Sequence, residues 1–140
     1  SNSAVSGVLV GRGALCNPWI FQQAQDLASG LKVRVVTPND RGQFLLDYID
    51  LLLHEGIEEA NGFRHSAVKT DVRQVLSVRT RLRRERWVVN KLRALGSWYT
   101  KGSHGGSQLR IAINQAMTVS EVTDIIKTHF FNGCSDLQPA

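Results

Sequence analysis

Three consecutive residues near the N-terminus, Gly11, Arg12 and Gly13, have the composition of a phosphate-binding loop. Glycine has no Cβ, so backbone N–H groups at such positions can approach an anion closely. The arginine between the glycines adds a planar set of donors that suits a phosphate. On spacing alone, however, a plain tight turn between two elements is the more frequent interpretation of a Gly-x-Gly sequence.

The flanking residues predict the elements that position this loop. Val8–Val10 is a short apolar run with β-branched ends, which is typical of a buried strand. Asn17 suits the N-cap position of a helix and Pro18 its first position, so we predict a helix over 18–29 that ends at Gly30. A strand, a glycine loop and a helix start together predict a phosphate cradle.

The whole string resembles a known phosphate site. Residues 7–21 read Gly-Val-Leu-Val-Gly-Arg-Gly-Ala-Leu-Cys-Asn-Pro-Trp-Ile-Phe, which is similar to the eighth strand and following loop of the tRNA-dihydrouridine synthases, flavoenzymes built on a TIM barrel. In that family the loop holds the phosphate of FMN, where such barrels commonly bind phosphate. The resemblance implies that Gly11, Arg12 and Gly13 bind the FMN phosphate. It departs at Cys16, where the family often has glycine.

The same resemblance implies which parts of the enzyme are missing. Because the matching strand lies at 8–10, the seven preceding barrel strands are absent. The family's catalytic cysteine lies in an Asn-x-x-Cys-Pro setting, and neither Cys16 nor Cys134 does. We therefore assign no catalytic residue. The resemblance implies the C-terminal part of an oxidoreductase that takes electrons from NADPH through FMN and reduces a uridine C5–C6 double bond.

Positive charge is concentrated in one part of the chain. The net charge is +5, and ten basic residues but only two acidic ones lie between Arg64 and Arg93. Such polarisation favours a polyanionic partner. The run Arg79–Arg86 is either a solvated face or a phosphate-contacting patch, and the residues leave both interpretations open. Trp87, Trp98 and Tyr99 favour the patch, because nucleic-acid surfaces combine basic residues with stacking rings, although each ring also fits a helical core.

Beyond a domain boundary at about residue 36, apolar residues recur at helical spacing. We interpret residues 31–39 as an extended linker, because Pro38 disfavours a strand. The predicted elements are a helix over 40–55 capped by Asn39 or Asp40 and stopped by Gly56, a loop over 56–65, helices over 66–83 and 86–100, a turn over 102–106, a short helix carrying Leu109, Ile113, Ala116 and Met117, and a last helix with the capping box Thr118–Glu121 that Gly133 closes. The predicted fold class is mainly α: a bundle of four to five helices preceded by a strand–loop–helix remnant of a TIM barrel.

A second stretch resembles the same family. The synthases commonly read Arg-Lys-His-x-x-Trp-Tyr-x-Lys-Gly, and Arg93, Trp98, Tyr99, Lys101 and Gly102 match, whereas Ala94 and Leu95 do not. Arg110 and Asn114 match an Arg-x-x-x-Asn element that follows. The basic run and these matches together give the predicted tRNA-binding residues: Arg79, Arg81, Arg83, Arg84, Arg86, Arg93, Lys101 and Arg110.

The predicted organisation is a barrel remnant over 1–36, whose first three residues resemble a tag remnant, a helical tRNA-binding domain over 37–133, and a mobile tail over 134–140. Two isolated cysteines and four scattered histidines predict free thiols and no metal site. Neither a membrane span nor a secretory signal is visible, so an intracellular, reducing compartment is expected, with the cytoplasm first.

Three hypotheses of function remain open. The first is the C-terminal part of a flavin-dependent tRNA-dihydrouridine synthase, with tRNA as partner. The alternative is a non-catalytic basic helical module that binds RNA or an acidic protein. The third is a purely structural bundle whose arginines keep it soluble. An unpaired strand at 8–10 would expose an edge, and a homodimer through that strand is one way to cover it.

Overall fold

The computed structural model describes residues 6–54 and 78–132, except the side chains of residues 78 and 79. Within these ranges the chain forms helices and no strand, which confirms the mainly α prediction. The elements are α1 (Gly13–Cys16), α2 (Ile20–Ala28), α3 (Pro38–His54), α4 (Val78–Tyr99), α5 (Gly106–Gln115), α6 (Val119–Lys127) and a π-helical turn (Thr128–Asn132). The predicted loop over 56–65, the predicted helix over 66–77, Gly133, Cys134 and the tail over 134–140 lie outside the described residues.

Helix α3 begins earlier than predicted because Thr37 caps it. The Asp40 N–H donates to Thr37 Oγ1 at 3.1 Å, and the Thr37 N–H donates to Asp40 Oδ2 at 2.9 Å. This is a reciprocal capping box with Pro38 at the first helical position. The predicted caps, Asn39 and Asp40, are therefore wrong. The hydrogen bonds from the backbone and the side chain of Thr37 lower the pKa of Asp40.

Helix α4 runs without a break from Val78 to Tyr99, so the predicted separation of two helices near residue 85 is wrong. Its arginines and leucines are good helix formers, and no proline or glycine interrupts it before Gly96. The predicted apolar seam is confirmed, since Val88, Leu92 and Tyr99 are at most 1% exposed and Leu95 packs against them.

The core lies among α3, α4, α5, α6 and the π-helical turn. It contains buried side chains from α3 (Leu45, Ile49, Leu52), α4 (Val88, Val89, Leu92, Tyr99), α5 (Leu109, Ile113), α6 (Val122, Ile126) and the turn (Phe130). Each of these helices has an apolar face at helical spacing, which can be buried only against another helix.

The connections between the last helices agree largely with the sequence. Gly102 and Gly105 adopt positive φ in the turn between α4 and α5. Thr118 caps α6 by accepting from the Glu121 N–H at 3.2 Å, as the capping-box motif predicts. Met117 was predicted to belong to the short helix, but α5 ends at Gln115, and Met117 lies beyond it and is 69% exposed.

The N-terminal segment corrects the strand prediction. Val8 and Leu9 are 84% and 98% exposed, and residues 6–10 form no regular element. A strand needs a partner for its backbone groups, and none exists among the described residues. Asn17 does not cap the next helix, since its side chain donates to Gln23 instead and α2 begins at Ile20. The predicted stop at Gly30 is confirmed, with φ of 68°.

No helix within the described ranges has both the length and the apolar character that crossing a membrane requires.

Candidate nucleic-acid interface

The arginines on α4 fall into two groups, and the side chains of the first group are exposed. Arg81, Arg83 and Arg86 are exposed, and no carboxylate of the described residues pairs with any of them. At 100° per residue, Arg83 and Arg86 lie opposite the seam that α4 buries. They are three residues apart and therefore neighbours on the helix surface, where like charges oppose the fold by a few tenths of a kcal/mol, roughly. Their charge is thus available to an anion outside the chain.

The second group of arginines holds the bundle together. Arg84 donates from Nε and Nη2 to the Leu52 carbonyl, at 2.9 and 2.7 Å, near the end of α3. Arg93 donates from Nη2 to the carbonyl of Ala116, the residue that caps the end of α5, at 2.7 Å. Helix ends leave carbonyls without intrahelical donors, and these half-buried guanidiniums supply them. Both were predicted as tRNA contacts, and both have a structural role.

The other predicted contacts are dispersed. Arg110 is exposed on α5, and Lys101 is exposed just after α4. The side chain of Arg79 lies outside the described residues. Since α4 rises about 1.5 Å per residue, Arg86 and Lys101 lie roughly 20 Å apart along its axis. The predicted tRNA-binding residues therefore do not form a single cluster.

Trp87 and Trp98 are both half-buried beside cations. The Arg84 guanidinium lies 4.5 Å from the Trp87 ring centroid, and Trp87 also packs against the core. At the other end of α4, the Trp98 ring has the Lys101 ammonium 4.0 Å and the Arg12 guanidinium 5.1 Å from its centroid. These are cation–π distances. The structure thus brings Arg12, a predicted FMN contact, next to Lys101, a predicted tRNA contact.

The predicted phosphate loop is open to solvent. Gly11, Arg12 and Gly13 are all exposed. A Cβ at Gly11 would meet no atom within 4 Å, and one at Gly13 would make only an ordinary contact with Val10 at 3.7 Å. Neither glycine has a positive φ, so the chain's own conformation does not require glycine here. Among the described residues, no acceptor is bonded to the N–H of Gly11, Arg12 or Gly13. These features fit a backbone that a phosphate can approach.

Arg41, which the sequence analysis missed, fixes the loop region to the bundle. Its guanidinium lies 4.3 Å from the Tyr99 ring centroid and donates to the carbonyls of Tyr99 and, at 3.4 Å, Cys16. In return the Tyr99 hydroxyl donates to the Arg41 carbonyl at 2.9 Å. Burial raises the pKa of Tyr99, and the nearby Arg41 charge opposes that shift. Trp19 adds an aromatic contact to Phe44, with centroids 5.4 Å apart.

Nothing in the sequence singles out Arg41, because it belongs to neither family motif and is the one arginine or lysine in α3. The Thr37 cap did have a signal, since Thr-Pro-x-Asp contains both a capping-box pair and a proline at the first helical position.

No protein-family model, curated protein or solved structure matches this chain. The family resemblance of the two motifs therefore stays a prediction from the residues.

Proposed function

We propose that this chain binds RNA through the exposed arginines of α4 and serves as the tRNA-holding, C-terminal part of a flavin-dependent tRNA-dihydrouridine synthase. The observation that carries the RNA proposal is that Arg83 and Arg86 share an exposed face of α4 and, like the exposed Arg81, have no carboxylate partner among the described residues. Basic side chains that neutralise phosphates supply most of the affinity in such binding and fix the orientation of the nucleic acid.

Two features support the wider assignment to the synthases. The first is the exposed loop Gly11–Gly13, whose unbonded N–H groups and Arg12 side chain fit the phosphate of FMN. The second is the proximity of Arg12 to Trp98 and Lys101, which belong to the second family motif. When bound in such an enzyme, the reduced flavin supplies the hydride that reduces the uridine ring, and NADPH returns the flavin to its reduced form. This chain's residues hold the phosphate and the RNA.

The exposed apolar residues Val8 and Leu9 agree with this proposal. Their exposure leaves apolar surface in water, which costs free energy in proportion to its area. Joining a sheet removes that penalty, whether the sheet belongs to the family's barrel or to a second copy of this chain.

A charge reversal tests the RNA proposal. We expect Arg83→Glu with Arg86→Glu to weaken tRNA binding about tenfold or more, because hydrogen bonds to charged groups contribute roughly 1.5–3 kcal/mol each. Arg84 is left unchanged, since it supports the fold. The control is Lys32→Glu with Lys127→Glu, which changes the net charge equally at exposed positions outside α4.

Fluorescence anisotropy with labelled tRNA measures both variants, and circular dichroism checks that each is folded. If the control pair weakened tRNA binding equally, the effect would come from net charge and not from the arginines of α4, which would contradict the proposal. Unchanged binding by the arginine pair would also overturn it. Binding of an acidic protein in place of RNA would favour the alternative function.

A further inference from the structure

Two cationic side chains from distant parts of the chain meet at one indole ring. Arg12 precedes α1, Lys101 follows α4, and both are exposed while Trp98 between them is half-buried. Their charge centres lie 5.1 and 4.0 Å from the Trp98 centroid. The two charges are therefore at most about 9 Å apart, which is comparable to the Debye length at physiological salt.

The chain itself does not neutralise these charges. No carboxylate of the described residues forms an ion pair with Arg12 or Lys101. The face of the ring attracts each cation, but it carries no net charge. Two like charges at this separation are only partly screened from one another, so the arrangement favours an anion that both can contact.

The donors suit a phosphate monoester. A guanidinium fork and an ammonium each donate to phosphate oxygens over about 2.8 Å, so a phosphate between the two side chains can accept from both. The glycines on either side of Arg12 leave the loop backbone accessible, because a Cβ at Gly11 would have no neighbour within 4 Å. A dianion gains more from two cations than a singly charged phosphodiester does.

We propose that Lys101 is a ligand of the same phosphate monoester that Arg12 binds, so that the loop and the helical bundle form one phosphate site around Trp98. The inference rests on the proposed flavin-phosphate role of Arg12 and extends it to a residue predicted to contact tRNA. The site joins residues 6–36 to the end of α4, so an occupied site strengthens the contact that Arg41 makes through the Cys16 carbonyl.

NMR of the full chain tests the proposal through the indole N–H resonance of Trp98, assigned with Trp98→Phe. The probes are inorganic phosphate, FMN, riboflavin and uridylyl-uridine, with sodium chloride matched for ionic strength. We expect phosphate and FMN to shift this resonance saturably, and riboflavin, which lacks the phosphate, to leave it unmoved. A saturable shift with uridylyl-uridine but not with FMN would overturn the assignment to a monoester.

Substitutions at Lys101 identify the ligand. We expect Lys101→Gln to weaken phosphate and FMN binding about tenfold, since a charge-assisted hydrogen bond is lost. Lys101→Arg should retain most of the affinity, and the control Lys127→Gln on α6 should leave it unchanged. Equal affinities of Lys101→Gln and the wild type would overturn the inference. If Lys101→Gln binds phosphate like the wild type while the wild type binds tRNA, the phosphate inference fails and the proposed RNA function stands. If the wild type binds phosphate but not tRNA, only the proposed RNA function fails.

Discussion

Gly42 offers a sharp test of how α3 packs against the π-helical turn. It is buried inside α3, and a Cβ built at this position would lie 2.6 Å from Phe130 Cβ and 3.0 Å from Phe131 Cζ. Phe131 can move the tip of its ring. Phe130 cannot move its Cβ without moving the backbone, and its own side chain is buried in the core. Gly42→Ala therefore requires the turn to shift away from α3.

Two opposing effects set the expected size of the change. Replacing glycine by alanine inside a helix ordinarily stabilises it by about 1 kcal/mol. Overpacking a close-packed core costs about 1–3 kcal/mol. The contact at 2.6 Å is far shorter than any normal carbon–carbon contact, which puts the cost in the upper part of that range. We expect a net destabilisation of about 1–2 kcal/mol for Gly42→Ala.

Gly96 provides the matched control. It is also a buried helical glycine, but a Cβ there would meet its nearest atom, Ile113 Cδ1, at a comfortable 3.8 Å. Gly96→Ala should therefore stabilise the protein, by up to about 1 kcal/mol. Urea unfolding followed by circular dichroism measures both variants. If Gly42→Ala were as stable as the wild type, or if both variants lost stability equally, the packing of Phe130 on α3 would be wrong.

The remaining predictions concern helix ends. Arg84→Met should lower the free energy of unfolding by about 1–3 kcal/mol, because the Leu52 carbonyl loses a charged donor, whereas the exposed Arg83→Met should change it by less than about 0.5 kcal/mol. If the two substitutions had equal effects on urea unfolding, the stabilising role of the hydrogen bonds from Arg84 to the Leu52 carbonyl would be contradicted. Asp40 has a lowered pKa in the folded state, so the stability it contributes is complete above its ordinary pKa of 3.8 and is lost as pH falls through the lowered value. Asp40→Asn should remove this part of the acid dependence, and an unchanged pH profile of unfolding would contradict the Thr37 capping box.

The helices could be predicted where spacing alone determines burial. The seam Val88, Leu92 and Tyr99 and the capping box at Thr118 follow from local periodicity and capping chemistry, and the structure has both. The sequence does not predict the continuity of α4, because the end of one predicted helix and the start of the next both fall within the dense run of arginines. Arginine is a good helix former, and charge repulsion between exposed side chains is too weak to interrupt a helix that its other face anchors.

The roles of individual arginines could not be predicted. Arg83 and Arg84 are neighbours in sequence, yet one is exposed and the other donates to a carbonyl of another helix. Which one turns inward depends on where α3 ends relative to α4, and no pattern within α4 contains that information. The same holds for Arg41, whose acceptors lie on residues 16 and 99.

The predicted strand in the N-terminal segment was wrong for a different reason. Val8–Val10 has the composition of a strand, but strand pairing is non-local, and composition cannot supply the partner. Helices satisfy their own backbone groups, which is why their positions were easier to predict.

The salt dependence of tRNA binding tests the central claim most directly. Each phosphate contact contributes about −0.7 to −0.9 to the slope of log affinity against log salt concentration. If Arg83 and Arg86 each contact a phosphate, their reversal to Glu should make that slope shallower by roughly 1.4 to 1.8, while the Lys32 and Lys127 control leaves it unchanged. A slope near zero for the wild type, or one that the arginine reversal does not alter, would contradict the account of α4 as an RNA-binding helix.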